Sequence, residues 1–157
     1  MKPLWLLFLG MTPLLAGDDT KDAAKNELKT LEGKWVLTAV EWDGKAPTPQ
    51  DVTSDARCEL TIDGNKYKTG QVGEMYKKGK GFLRIDPGKK PKTIDFGNTE
   101  AFKRGETRYE IYELDGDTLK ITSVQKDTEK IKPEDRPKEL KTAPKSGLII
   151  EYWKRKS

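Results

Sequence analysis

The side chains whose types could do chemistry are few and scattered: glutamates at Glu41, Glu110 and Glu113, tyrosines at Tyr67, Tyr109 and Tyr152, and one thiol at Cys58. Two carboxylates held across a cleft would suit glycoside hydrolysis, one donating a proton and the other attacking or activating water. Acidic residues are abundant, however, and alternation along the segment TRYEIYEL places Glu110 on the solvent-facing side of its strand. We therefore expect no enzyme. Histidine is absent, which excludes nucleophilic catalysis with a histidine base, the common histidine-containing zinc sites and histidine-ligated haem. Asp115-Gly116-Asp117 lacks the length and the later acidic ligand of a calcium loop and reads as a hairpin turn. The glycines between Gly70 and Gly81 have no strand-to-helix context for cradling phosphate. No cofactor and no metal is expected. Cys58, in RCELTID, alternates with Leu60 and Ile62 and reads as a small buried hydrophobe.

A second group is charged. Lys92, Asp95, Asp135 and Arg136 lie near Pro91 and Pro137, which stiffen the segments bearing them. An arginine held beside an aspartate can fix a long loop across the end of a sheet structure through a charge-assisted pair, and anion binding is the alternative. Elsewhere 30 basic and 26 acidic residues are interspersed, for a net charge of +4. Short lysine groups such as Lys154 to Lys156 read as solvated strand ends, and no dense basic field suggests nucleic acid as a partner.

The elements that must position these residues follow from the hydrophobic pattern. Residues 1–17 have one lysine, an apolar run from Pro3 to Leu15 and small residues at Ala16 and Gly17, the layout of a secretory signal peptide. The run is short for a bilayer span and holds two prolines. A secreted or periplasmic, cell-envelope location is the expectation, with no stable membrane span after cleavage. Residues 18–32 read as a short helix and lead-in, with Ala24, Leu28 and Leu31 near one face before Gly33. From Lys34 the period changes to two. Strands are expected over 34–42, 57–63, 66–72, 81–86, 92–96, 107–114, 118–124 and 148–155, and 45–56 reads as a long connection with room for one helical turn. The first strand is expected to put Trp35, Leu37 and Ala39 on one face and Val36, Val40 and Trp42 on the other.

Eight strands joined by short links, with no recurring crossover helix, favour antiparallel order. The fold class is all-β, an eight-stranded antiparallel barrel with a short N-terminal helix, in one domain over 33–157. A two-sheet sandwich is the competing arrangement. With no partner for Cys58, stability must come from the core.

At Gly33-Lys34-Trp35 the chain resembles the lipocalins, or calycins, whose first strand opens with glycine, any residue, tryptophan after a short helix. The resemblance implies that Trp35 closes the barrel floor under a basic residue of the last strand, Lys154 or Arg155. A fuller likeness covers almost all of the chain after the expected signal peptide. Leu31-Glu32-Gly33-Lys34-Trp35, Trp42-Asp43-Gly44-Lys45, Asp86-Pro87 with Lys90-Pro91-Lys92-Thr93-Ile94-Asp95, Ile111 to Leu119, and Arg136-Pro137 are similar, in the same order, to a lipocalin-like exported domain family of unassigned function, common in planctomycete bacteria. That family often carries a glycine before the Arg-Pro pair and sometimes a cysteine after the second hairpin strand, where this chain has Asp135 and Thr122-Ser123. The resemblance implies the barrel and leaves the ligand open.

A cup-shaped interior would be lined by one face of each strand: Leu37, Cys58, Leu60, Tyr67, Leu83, Ile94, Tyr109, Ile111, Leu119, Ile121, Ile150 and Tyr152. Of these, Leu37, Leu60, Tyr67, Leu83, Tyr109, Ile111, Ile121 and Tyr152 are the candidate ligand-lining residues, the tyrosines supplying an orienting hydroxyl. Gly33, Trp35, Asp95, Arg136 and Arg155 are expected to be structural. Trp42 and Trp153 would line a mouth or an outer groove. The functional expectation is a module that binds a small apolar or amphipathic molecule. The alternative is a structural or protein-interaction domain of the cell envelope with a filled barrel, its partner another envelope protein.

Overall fold

The computed structural model describes residues 19–49, 59–70, 79–97, 107–125 and 131–157. The signal-peptide reading and Cys58 lie outside these residues. A helix α1, Asp19–Leu31, precedes nine strands: β1 Gly33–Trp42, β2 Thr48–Pro49, β3 Glu59–Asp63, β4 Lys66–Thr69, β5 Gly79–Asp86, β6 Lys92–Gly97, β7 Arg108–Asp115, β8 Thr118–Val124 and β9 Leu148–Arg155. From β3 to β9 each strand pairs antiparallel with the next. β1 pairs with β3 on one side, Gly33 opposite Ile62, and with β9 on the other, Trp35 opposite Arg155. The ring closes with eight strands. β2 is a two-residue addition within the expected 45–56 connection, pairing with Ala39 and Val40 beyond the point where the β1–β3 ladder ends.

Local sequence accounts for the corners. Gly64 and Gly116 take φ near 55°, in the left-handed region, at the tips of the β3–β4 and β7–β8 hairpins. The α1 segment DTKDAAKNELKTL holds no glycine or proline, and its Leu28 and Leu31 pack on the barrel core. It stops at Leu31, and Gly33, with φ 134°, opens β1.

Inward residues form one apolar cluster that includes Leu31, Trp35, Leu37, Leu60, Ile62, Leu83, Ile94, Tyr112, Leu119, Ile121 and Trp153. Each large apolar side chain taken out of water contributes about 1.5–3 kcal/mol, so this cluster is the main stabilising term. A bulge in β1 between Leu37 and Ala39 shifts the alternation, and Val40 therefore joins the same core as Trp35 and Leu37 instead of facing away from them.

The outer wall is covered over β7, β8, β9 and β1. Ile111, Thr122, Ile150 and Glu41 form a cross-strand row on the outer face, and Ile111, Thr122 and Ile150 are buried there. The segment 131–146 crosses this wall, burying its own Ile131, Pro137 and Thr142. Thr142 donates to Glu41 Oε1 at 2.7 Å and accepts from the Gly44 amide at 3.0 Å, and the Tyr152 hydroxyl donates to Glu41 Oε2 at 2.7 Å. Several residues expected inside are thus outside. Tyr109, Ile111, Ile150 and Tyr152 face the covering segment, because their strand neighbours Glu110, Tyr112, Glu151 and Trp153 take the interior.

Candidate functional site

The barrel has two chemically distinct ends. At the floor, Trp35 is fully buried, and the Arg155 guanidinium lies over its ring at 4.2 Å. The Trp35 indole Nε1 donates to the Leu31 carbonyl at 3.0 Å. Arg155 donates to the carbonyls of Thr30 (2.8 Å) and Glu32 and pairs with Asp117 at 3.0 Å. Those carbonyls belong to the last turn and exit of α1, which have no partner within the helix, and a cation there also complements the helix dipole. Gly33 is required by this approach: a Cβ would stand 2.9 Å from Arg155 Nη1. Of the two basic residues expected over Trp35, the structure selects Arg155, while Lys154 is exposed.

At the opposite end, where β7 begins and β1 finishes, three ionisable side chains occupy the inner face. Arg108 and Glu110 are two apart on β7. Glu151 faces the same space from β9, being cross-strand to Ile121, which is itself opposite Tyr112. Arg108 Nε donates to Glu110 Oε1 at 2.7 Å, and the Trp153 indole Nε1 donates to Glu151 Oε2 at 3.2 Å. The Arg108 guanidinium lies 5.4 Å from the Phe96 ring centre, and Phe96 meets Tyr67 edge-on at 5.0 Å. Glu110 is 1% exposed, whereas the Arg108 side chain retains 37% of its surface. Glu110 Oε2 is buried with no hydrogen-bond partner.

Electrostatics follow from this placement. Burial pushes the Glu110 carboxyl up to about 7; the Arg108 charge opposes the rise, and the nearby Glu151 adds to it. Arg108 is itself raised, chiefly by Glu110, and burial raises the Tyr67 phenol. The arrangement leaves one acceptor, Glu110 Oε2, without a donor, beside an Arg108 guanidinium paired with the other oxygen. Glu110 was expected on the solvent side of its strand; it is the most deeply buried acid here.

The charged group expected across a barrel end divides. Arg136 pairs with Asp95 at 2.6 Å, lies 5.3 Å from the Tyr109 ring centre and donates to the Glu110 carbonyl at 2.6 Å. All of this is on the outer wall. The β7–β8 ladder ends at Ile111 opposite Thr122, so the Glu110 carbonyl lies beyond it and is satisfied by Arg136. Burial raises Asp95 against the opposing Arg136 charge. Lys92 instead reaches Glu27 of α1 at 2.6 Å, joined there by the Tyr112 hydroxyl at 3.1 Å, and Asp135 Oδ2 accepts from the Lys132 amide at 2.9 Å. A surface groove of about 890 Å³ runs between the β5–β6 turn and residues 133–138, with Ile111 in its lining.

Among the candidate lining residues, Leu37, Leu60, Leu83 and Ile121 are in the core and Tyr67 packs against it. Tyr109, Ile111 and Tyr152 are on the outer wall. Trp153 is buried inside, and Trp42 is the one exposed large hydrophobic among the described residues. Sequence reasoning missed Arg108 and Glu151. The signal was parity. If Arg155 lies over Trp35 it points inward, and Trp153 and Glu151, at spacings of two, must do so as well; Ile150 and Tyr152 cannot.

Among the described residues no cluster of three or more cysteines and acids is positioned to hold a metal, and no helix is long and apolar enough to cross a membrane. Comparison of the chain with family models, curated proteins and solved structures found no match.

Proposed function

We propose that this is an exported, non-enzymatic lipocalin-like module that binds a small amphipathic molecule at the Arg108–Glu110–Glu151 end of its barrel. The observation that carries the reading is Glu110: a buried carboxyl oxygen without a hydrogen-bond partner at the charged end of the barrel, next to the apolar core. Orphaned buried acceptors are disfavoured by about 1–3 kcal/mol, and a ligand that supplies a donor recovers that loss. Phe96, Tyr67 and Trp153 would bear on its apolar part. Native mass spectrometry of the protein isolated from its own host, compared with the mass after unfolding, tests the reading. A small-molecule mass lost on unfolding is expected. A single bare mass, together with no change in tryptophan fluorescence on titration with apolar amines, alcohols and acids, would remove it.

One observation favours the interaction-domain alternative: Trp42, 40% exposed at the same end of the barrel. In that reading Trp42 anchors an envelope protein, and the native spectrum shows a protein partner in place of the small molecule.

A further inference from the structure

Sheet register brings together three lysines that lie far apart in the sequence. Lys34 on β1 is opposite Thr61 on β3, Thr61 is opposite Lys68 on β4, and Lys68 is opposite Lys80 on β5. The four side chains form one row on the outer face, because their strand neighbours Trp35, Leu60, Ile62 and Tyr67 point into the core. Neighbouring strands lie about 4.8 Å apart, so the row runs roughly 14 Å across the wall. Lys34, Lys68 and Lys80 are exposed, and none is paired with an acid among the described residues. Other cations of the barrel are matched: Lys92 with Glu27, Lys120 with Glu113, Arg155 with Asp117 and Lys156 with Glu59. Like charges directly opposite one another destabilise a strand pair, and Lys68 opposite Lys80 is such a pair.

The three lysines line a groove of about 690 Å³, together with Thr61 and the glycines Gly70 and Gly79, which add no side-chain bulk. That volume suits a small molecule. The carboxylate in the lining, Glu59, is engaged by Lys156 Nζ at 2.7 Å. No arginine is among the lining residues. Ammonium groups act as point charges with rotatable donors, so they gather round a compact, multiply charged anion without requiring a planar one. A singly charged anion would leave part of the row unmatched. A bilayer is a poor fit to a concave site, and the one large hydrophobic exposed among the described residues, Trp42, is at the other end of β1. We propose that this groove binds a compact polyanion of the di- or triphosphate class through Lys34, Lys68 and Lys80. The site is on the outer wall, separate from the barrel interior, and does not depend on the Glu110 reading.

Calorimetric titration of the full chain at neutral pH with tripolyphosphate, orthophosphate and citrate tests the assignment. Tripolyphosphate is expected to bind about tenfold more tightly than the other two at low salt, and more weakly as salt is raised to about 0.15 M. Lys68→Gln combined with Lys80→Gln should weaken tripolyphosphate about tenfold, since two of the three ammonium groups are gone. Lys89→Gln combined with Lys90→Gln removes the same charge from the far end of β5, more than a Debye length away, and should change binding by less than about twofold. Relief of the like-charge pair should leave Lys80→Gln with a urea midpoint at or above that of the wild type; a lowered midpoint would show that the row is held by contacts of its own and overturn the premise. Equal losses in the two double variants assign the binding to net charge, and citrate binding as tightly as tripolyphosphate removes the phosphate class. Binding to phosphatidylglycerol vesicles that the Lys68, Lys80 variant loses assigns the row to a membrane surface instead. No binding of tripolyphosphate at low salt overturns the site outright.

Discussion

At one end of this barrel the indole nitrogen of the buried tryptophan and the guanidinium over its ring are both hydrogen-bonded; at the other an acid has been buried with half of its carboxyl unused. Arg155 over Trp35 serves two helix carbonyls and Asp117 at once. Arg108, in the matching position over Phe96, serves Glu110 and leaves Oε2 alone. The two cations make similar aromatic contacts, so the aromatic contact does not explain the contrast. The difference teaches that the floor is a finished piece of structure, whereas the far end carries a destabilising feature that a packed apolar side chain in place of Glu110 would avoid.

The largest expected effect lies at the floor. Trp35→Ala should lower stability by about 3–5 kcal/mol in urea denaturation, the range for truncating a large core aromatic; a loss near 1 would show that the floor is loosely packed and the contrast overstated. Next is the titration of Glu110. Its carboxyl is raised from an ordinary 4.5 to about 7, so between those values the folded state holds a proton that the unfolded state has released. The stabilisation is complete below about pH 4.5 and is lost as pH rises through about 7, on the order of 3 kcal/mol. Chemical denaturation at several pH values should show that decline, and Glu110→Gln should flatten it. A decline that persists in the variant assigns it elsewhere. Glu41 works in the opposite sense: burial disfavours its charge, but hydrogen bonds from Thr142 and Tyr152 outweigh that and hold it below the ordinary value. Its contribution is lost only on going acid of that value, outside the Glu110 window.

Arg136→Ala should cost about 1–3 kcal/mol, since it frees Asp95 and leaves the Glu110 carbonyl without its donor. Hydrogen exchange should quicken over 131–146 and around Glu110 with the Trp35 floor unchanged, and exchange that quickens evenly over the whole barrel would contradict the division into two ends. Arg155→Met, which keeps the stem over the ring, should lose about 1–2 kcal/mol through the cation–π contact and the helix carbonyls. Smallest is Trp42→Ser, about 1 kcal/mol, because 40% of the residue is already in water and only the covered part of the ring is lost. A loss well above that would show that Trp42 is packed against something in solution.

The barrel itself was legible because period-two segments and turn residues recur along 33–157 with no room for crossovers, and the Gly33–Trp35 triplet indicated which end would be closed. What failed was the facing of individual strands. In TRYEIYEL both faces carry large residues, and Tyr109 with Ile111 makes as good an apolar face as Tyr112 with Leu114. The apolar side was taken as the inner one, yet 131–146 covers the outer wall and gives Ile111 and Ile150 a second place to be buried. A one-residue error of facing then hid Arg108, Glu110 and Glu151 together, since parity moves every residue of a strand at once. In β1 the bulge near Thr38 did the same to Val40.

Local sequence therefore determined the eight strands of the closed ring, their antiparallel order and the turns, because periodicity, glycine at positive φ and link length act over a few residues. The register between distant strands and the choice of inner face were decided only by tertiary structure. They depend on how β1 meets β9 more than a hundred positions along the chain and on what the 131–146 segment covers, and neither is encoded in any short window.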